Sequence, residues 1–357
     1  MSVSVSKISG TDGEAGIDRN AGNAGSIDAG FGSLTFSEPN LNPEIMSLIT
    51  VNDFSYPQGW ENLKRSEERA RWCCSQLEDG HVLFLERIPF DLPEVNLQFL
   101  RTQQQSSSSL HKNISYRPHQ DKLRGFAAEV SEDVERLHEV MRYYSVQVVK
   151  FLSQLLAPYS LDWKLDFASF RPLEEEGRDL SLHKRNDLLH VDAFPSRPTR
   201  GGRILRCFTN INPSEPRTWL IGDHFPEIAK RYSIDAGLKK IAQRAATPAG
   251  TLRKLIAPLK QLVRIPASDR AAYDEVMLRL HDYLKENTEF QREGAKIRTD
   301  FPPSSTWIVF TDAVPHAVLS GRLALEQTLI IPVNALVAPG KSPLRKLEEI
   351  AGRSLVN

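Results

Sequence analysis

His190 and Asp192, in the run HVD, are the residues best placed to do chemistry. In an extended segment they fall on one face, because side chains alternate with period two. A neutral imidazole and a carboxylate on one face can take two adjacent positions on a metal. A third ligand from a distant strand closes the triangle, and His316 in TDAVPHAVLSG is the candidate. Two histidines and a carboxylate leave three positions open on an octahedral ion, the facial arrangement of non-haem iron(II) oxygenases. Three positions suit a bidentate 2-oxo acid and dioxygen. HxD alone is a weak signal in a chain with nine histidines. Its weight comes from the strand-like run around it and from a later histidine that follows another strand. The bland alternative is a surface histidine beside a turn aspartate.

A 2-oxo diacid also needs a cation for its far carboxylate, and a planar guanidinium fits that group. Arg206, inside the apolar run ILRCF, is the first choice. A salt bridge to an internal acid is its structural alternative. Arg322, at the start of the last strand-like run, is the second choice, and Thr328 offers a hydroxyl. His183 and His224 lack a partner at ligand spacing. The paired histidines and general base of an HExxH zinc hydrolase are absent.

These residues need strands to hold them. After Pro158 come LDWKLDFASFRPL (161–173), LLHVDAF (188–194), GRILRCFTNINP (202–213), RTWLIGD (217–223), STWIVFTDAVPHAVLSG (305–321) and RLALEQTLIIPV (322–333). Short β-type runs divided by Pro, Gly, Asp and Asn predict a barrel or jelly roll. Residues 225–295 read as a helical insertion within this core, which spans 158–340. Upstream, 35–157 predicts a mainly helical flank: an amphipathic helix over 57–77, a strand near 81–90 and a long helix over 126–157. In that long helix Val130, Val134, Leu137, Val140, Met141, Tyr144 and Val148 recur at three and four residues. Residues 1–34, rich in Gly, Ser, Ala, Asn and Asp, carry too little apolar surface to offset ordering entropy and are expected to be a disordered leader. Residues 341–357 form a C-terminal tail or helix. The predicted class is α+β.

Lys+Arg and Asp+Glu both total 45, a balance unlike that of a nucleic-acid binder. Cys73, Cys74 and Cys207 have no zinc spacing, and such sparse cysteine suits a reducing compartment. No apolar stretch is long enough to span a bilayer, and no signal peptide is evident. The expected setting is cytoplasmic.

HVDAFPSRPTRGGRILRCFTNINPSEPRTW, together with WIVFTDAVPHAVLSGRLALEQT, resembles the bacterial Kdo hydroxylases. ISYRPHQDKLRGFAAE (114–129) and DFASFRPLEEEGRDLSLH (166–183) are similar to the same family. The resemblance covers residues 80–335 or so and leaves out the Gly-rich leader. It implies an iron(II)- and 2-oxoglutarate-dependent dioxygenase with a double-stranded β-helix (cupin-like) core. The implied reaction hydroxylates C3 of 3-deoxy-D-manno-oct-2-ulosonic acid (Kdo) in the lipopolysaccharide inner core, on Kdo-lipid A, with release of succinate and carbon dioxide. Carried over residue by residue, the iron ligands are His190, Asp192 and His316. Where many related dioxygenases place an anchoring Arg beyond the distal His, this chain has Glu326 or Gln327. The anchor therefore differs, and Arg206 and Arg322 both stay open. Arg117 and Arg171, in YRP and FRP segments, are candidates for the sugar carboxylate, against the reading of structural arginines at strand ends.

Between Asp235 and Asp269 stand Lys239, Lys240, Arg244, Arg253, Lys254, Lys260 and Arg264, with no acid among them and apolar residues interleaved. A basic amphipathic segment suits anionic lipid headgroups, such as the inner face of the inner membrane. The alternative is a solvated helix packed on the barrel. Two other functions stay open at this point: the same chemistry on another lipid, small acid or protein, and a non-catalytic barrel that binds a lipid or partner.

Overall fold

The chain enters through β1 (Leu48–Thr50), α1 (Leu63–Glu78), β2 (Val82–Leu85), α2 (Glu94–Thr102), β3 (Ile114–Arg117), β4 (Lys122–Arg124) and α3 (Ser131–Leu155). This computed structural model describes residues 48–51, 63–103, 113–126, 131–246 and 270–356, all within one compact unit, residues 42–357. The expected leader, and the part of the basic segment that carries Arg253, Lys254, Lys260 and Arg264, lie outside the described residues. Among the described residues, α3 buries Leu137, Val140, Met141, Tyr144, Val148, Leu152 and Leu155. Five of the seven positions that the three–four spacing picks out are in that set, Val134 is half-buried and Val130 lies outside the described residues; each buried side chain contributes about 1.5–3 kcal/mol relative to exposure. α3 ends at Leu155, just ahead of Pro158, which has no amide to donate. Cys73 and Cys74 of α1 sit unpaired in the same core. Burial pushes the Cys73 thiol up to about 12, so it is a packing residue rather than a reactive one.

Strands then dominate: β5 (Lys164–Arg171), β6 (Arg203–Asn210) and β7 (Arg217–Gly222). The helical insertion follows as α4 (Phe225–Tyr232), α5 (Leu238–Ala245), α6 (Ala272–Glu286) and α7 (Thr288–Glu293). Then come β8 (Lys296–Phe301), β9 (Thr306–Phe310), β10 (His316–Ser320), β11 (Ala324–Ile331) and α8 (Pro343–Ala351). The strands make two sheets. One has the order β1-β2-β9-β6-β11-β5-β3-β4, the other β10-β7-β8. Every pairing except β1–β2 is antiparallel.

The small sheet packs on the large one through aromatic side chains. Phe208 and Trp307 of the large sheet meet Trp219 and Phe301 of the small one, and the Phe301 and Trp307 rings stack 4.0 Å apart. β6 shows how alternation builds both cores. Leu205 and Cys207 point to the helices α1 and α3, while Arg206 and Phe208 point between the sheets. Two facing sheets, antiparallel apart from β1–β2, flanked by N-terminal helices and interrupted by a helical insertion, form the expected α+β double-stranded β-helix.

One predicted strand differs. LLHVDAF does not form a ladder; only His190 makes an isolated bridge, to His316. The reason is that successive residues pair with different partners. His190 bonds the start of β10, whereas the Asp192 amide donates to the Thr311 carbonyl, beyond the end of β9.

Candidate metal centre

The run before His190 and the start of β10 are tied together by backbone. The His190 amide donates to the His316 carbonyl at 3.1 Å, and the His316 amide returns a bond at 2.9 Å. This exchange sets the two imidazoles side by side, with ring centroids 4.8 Å apart. Asp192, two residues on, projects to the same place. One ligand atom from each of the three residues lies within 4.8 Å of the others, and all three side chains are largely shielded from solvent.

Both imidazoles have a fixed tautomer. His190 Nδ1 donates to the Leu188 carbonyl at 2.7 Å, and His316 Nδ1 to the Val314 carbonyl at 2.9 Å. A carbonyl only accepts, so each Nδ1 carries the proton and each Nε2 lone pair is free. The Nε2 atoms lie 3.8 and 3.9 Å from the Asp192 carboxylate oxygens. Burial first, then His316 and Lys285, holds the His190 imidazole well below its ordinary range. Burial also lowers His316, outweighing the opposite pull of Asp192. Burial works against the Asp192 carboxylate, but Arg206 above all, with both histidines, keeps it ionised. Asp192 Oδ2 is buried with no hydrogen-bond donor. Two neutral imidazoles and an ionised carboxylate with an unsatisfied oxygen form a donor set that fits a divalent iron.

Aromatic packing fixes the second histidine. Trp219 of β7 stacks on the His316 ring at 5.1 Å and 22°. From the other side, α6 backs the first histidine. His281 Nδ1 donates to the Val191 carbonyl at 2.8 Å, and its ring stands edge-on to His190 at 5.0 Å. One turn on, Lys285 is buried and donates to the His183 carbonyl at 3.0 Å. Burial pulls its ammonium down to about 8.

Arg206 of β6 reaches the site. Its Nη1 is 3.1 Å from Asp192 Oδ2 and its Nε is 3.3 Å from Glu326 Oε1, ion-pair distances without hydrogen-bond alignment. Thr328 faces Arg206 directly across the β6–β11 register and donates to Glu326 at 3.0 Å. Arg171 is deeply placed in a charge chain. It donates twice to Glu326 Oε2, at 2.5 and 3.0 Å, and stands 3.8 Å from Glu175. Glu175 in turn meets Arg217 and Arg178. Burial would raise the Glu326 carboxyl, but Arg206 and Arg171 bring it down to about 2. In this position Arg171 is a strut for Glu326.

The structure does not bring Arg322 to the centre. Its side chain is 56% exposed and lies 3.7 Å from Glu215. Arg117 is part-buried on β3, over the Phe167 ring at 4.8 Å, with its Nε unpartnered. Lys239 and Lys240 of α5 are exposed, while Arg244 is paired with Glu275. Leu238 and Ile241, which flank Lys239 and Lys240, are buried in the protein's own core, so that part of the segment packs its apolar face inward. No helix among the described residues is long and apolar enough to cross a membrane. Sequence reasoning did not single out Glu326 as a counter-ion, nor His281 and Lys285. The signal for the last two is an i, i+4 polar pair beside the apolar face of α6, which buries Met277, Leu280 and Leu284.

Comparison with known proteins follows the same lines. A family model described as 3-deoxy-D-manno-oct-2-ulosonic acid (Kdo) hydroxylase matches residues 59–354. The solved structure of the Kdo hydroxylase KdoO, a non-heme Fe(II) alphaketoglutarate dependent dioxygenase, in complex with cobalt(II), superposes with a TM-score of 0.71. It is 38% identical and covers 87% of this chain and 97% of that one. KdoO in complex with alphaketoglutarate and Fe(III) gives a TM-score of 0.68 at 37% identity, covering 86% and 97%. KdoO with succinate and Fe(III) gives 0.69 at 37%, covering 87% and 97%. No curated protein matches. With a family match over most of its length and solved relatives sharing more than a third of its residues, the chain belongs to the Kdo hydroxylase family.

Proposed function

We propose that this chain hydroxylates C3 of Kdo in Kdo-lipid A or a related lipopolysaccharide precursor, using iron(II), 2-oxoglutarate and dioxygen. The observation that carries the reading is the buried His190–Asp192–His316 cluster, with both Nε2 atoms free and Asp192 Oδ2 without a donor. When bound, iron and 2-oxoglutarate supply the oxidation: one oxygen atom goes to the sugar and one to succinate, with loss of carbon dioxide. His190, Asp192 and His316 hold the metal. Their hydrogen bonds to Leu188, Val314 and the neighbouring backbone keep the three donors aimed before the metal arrives. Arg206, with Thr328 beside it, receives the far carboxylate of 2-oxoglutarate. Glu326 and Arg171 hold the Arg206 guanidinium in place. Lys239 and Lys240, exposed on α5, meet the anionic headgroups that surround a lipid-linked substrate.

The test is anaerobic addition of iron(II) and 2-oxoglutarate, watched for the metal-to-ligand charge-transfer band. The wild type should develop the band and His190→Ala should lose it. A band of equal strength in both would remove His190 from the metal.

A further inference from the structure

Asp192 is followed by Phe194 and Arg197, and the two extend the site outward. Arg206, beside Asp192, stands over the Phe194 ring at 5.6 Å. Arg197 stands over the same Phe194 ring at 4.2 Å and over Phe167 at 4.1 Å. Arg117 completes the series, 4.8 Å from Phe167. The order is Arg206–Phe194–Arg197–Phe167–Arg117, guanidinium and ring alternating away from the metal ligands.

Register explains why these side chains meet. Ser115 pairs with Ser169 on β5 and with Arg124 on β4, so those three residues share one face of the large sheet. Two residues along, Arg117 and its partner Lys122 lie on that face as well. Ser169 pairs with Glu326, which carries the same face across to β11. A register shift between Gln327 and Leu329 lets both Asp166 and Phe167 of β5 reach Arg197. Along this strip Asp166 is the acid paired with Arg197, against the cations Arg117, Arg197, Lys122 and Arg124. Burial first, then Arg124 and Arg197, depresses the Arg117 guanidinium, and its Nε has no acceptor.

We propose that the Arg197–Phe167–Arg117 end of this ladder, with Arg124 at its rim, binds a second anionic group of the substrate, a carboxylate or phosphate on the sugar next to the one oxidised. This rests on the proposed oxidation of an acidic sugar at the metal. Stacked guanidinium groups suit such a ligand: the rings hold them flat and turn their N–H edges to oxygens, as Arg197 does toward Asp166, while Arg117 Nε has no acceptor of its own. The substrate is then a polyanion read at two points. A lone acidic sugar fills the metal end and leaves the ladder unused.

The experiment uses the full chain loaded with cobalt(II), so that binding is seen without turnover, and the iron enzyme for kinetics. The probes are a Kdo monosaccharide glycoside, a Kdo disaccharide, and a Kdo glycoside that bears a phosphorylated glucosamine. Arg117→Gln and Arg197→Gln should each weaken binding of the two-anion probes about 10-fold and raise their KM alike, with kcat within twofold. Affinity for the monosaccharide should not move. Arg197→Lys, which keeps charge but loses the stack, should fall between. Whichever two-anion probe shows the effect identifies the group as carboxylate or phosphate. Equal loss on all three probes, or none on any, overturns the ladder. If the iron enzyme oxidises no probe while the cobalt form still binds the phosphorylated one through Arg117 and Arg197, the sugar-oxidation reading falls and the anion site stands. If it oxidises them and the variants behave as wild type, the ladder falls alone.

Discussion

His190 and His316 hold each other through the backbone, each donating its amide to the other's carbonyl, at 3.1 and 2.9 Å. The two imidazoles of the candidate metal centre thus belong to one rigid bridge although 126 positions separate them in sequence. Next to that bridge the Gly222 amide donates to the Pro315 carbonyl at 2.7 Å. A Cβ on Gly222 would sit 2.9 Å from Pro315 Cβ and 3.0 Å from Leu189 Cδ2, against the segments that carry His316 and His190 at once. Gly222→Ala should therefore weaken cobalt(II) binding about 10-fold or more, comparable to losing a hydrogen bond that orients a metal-facing histidine. Calorimetric titration of wild type and variant checks this. Unchanged affinity would mean that the bridge tolerates the wedge.

The carbonyl of Val191, the residue between His190 and Asp192, accepts from His281 of α6. His281→Ala should lower metal affinity about 10- to 100-fold while the protein stays folded. The cobalt(II) visible spectrum should also broaden or shift as the His190 ring gains freedom. A variant with native spectrum and affinity would reduce His281 to packing.

Glu326 links Arg206 to Arg171, and its folded carboxyl lies at about 2, below its ordinary value of 4.5. A depressed carboxyl stabilises the fold fully above the unfolded value and loses that effect as pH falls through the folded one. Glu326→Gln should destabilise the protein by about 3 kcal/mol at pH 7, since it leaves two buried guanidinium groups short of a partner. Urea unfolding at pH 7 and at successively lower pH should show the difference between wild type and variant shrinking below pH 4.5. A difference constant with pH would assign the loss to packing rather than charge.

Arg206 lies beside Asp192 and opposite Thr328. Arg206→Met should raise KM for 2-oxoglutarate at least about 10-fold, the size expected for losing a charge-assisted pair. Thr328→Val should produce a smaller rise. Steady-state succinate formation measures both. An unchanged KM in Arg206→Met would move the far carboxylate to another cation.

The sequence made the triad legible because HVD needs only period two, and the late histidine follows a strand that is apolar on both faces. The long helix α3 and most core strands were legible for the same reason. What escaped depends on contacts between segments far apart in the chain. The strand expected at 188–194 reduces to one bridge because its amides serve two different neighbours. β8, in KIRTDF, is short and mixes charge with apolar residues, so periodicity gives it little weight. Arg322 looked suitable by its place after His316, yet it faces solvent and Glu215. Arg206 looked suitable by its apolar neighbours and does reach Asp192. The Phe194–Arg197 extension follows directly on HVD in sequence, but Phe167 and Arg117 join it only through the register of β3 and β5.

The most direct test of the central claim is the fate of oxygen on the sugar. Wild-type protein with iron(II), 2-oxoglutarate, dioxygen and Kdo-lipid A should give a product heavier by one oxygen atom, located at C3 of Kdo by fragmentation, with one succinate per product. Asp192→Ala should give neither. Succinate without a change in the mass of the lipid, or a mass gain that survives Asp192→Ala, would contradict the account.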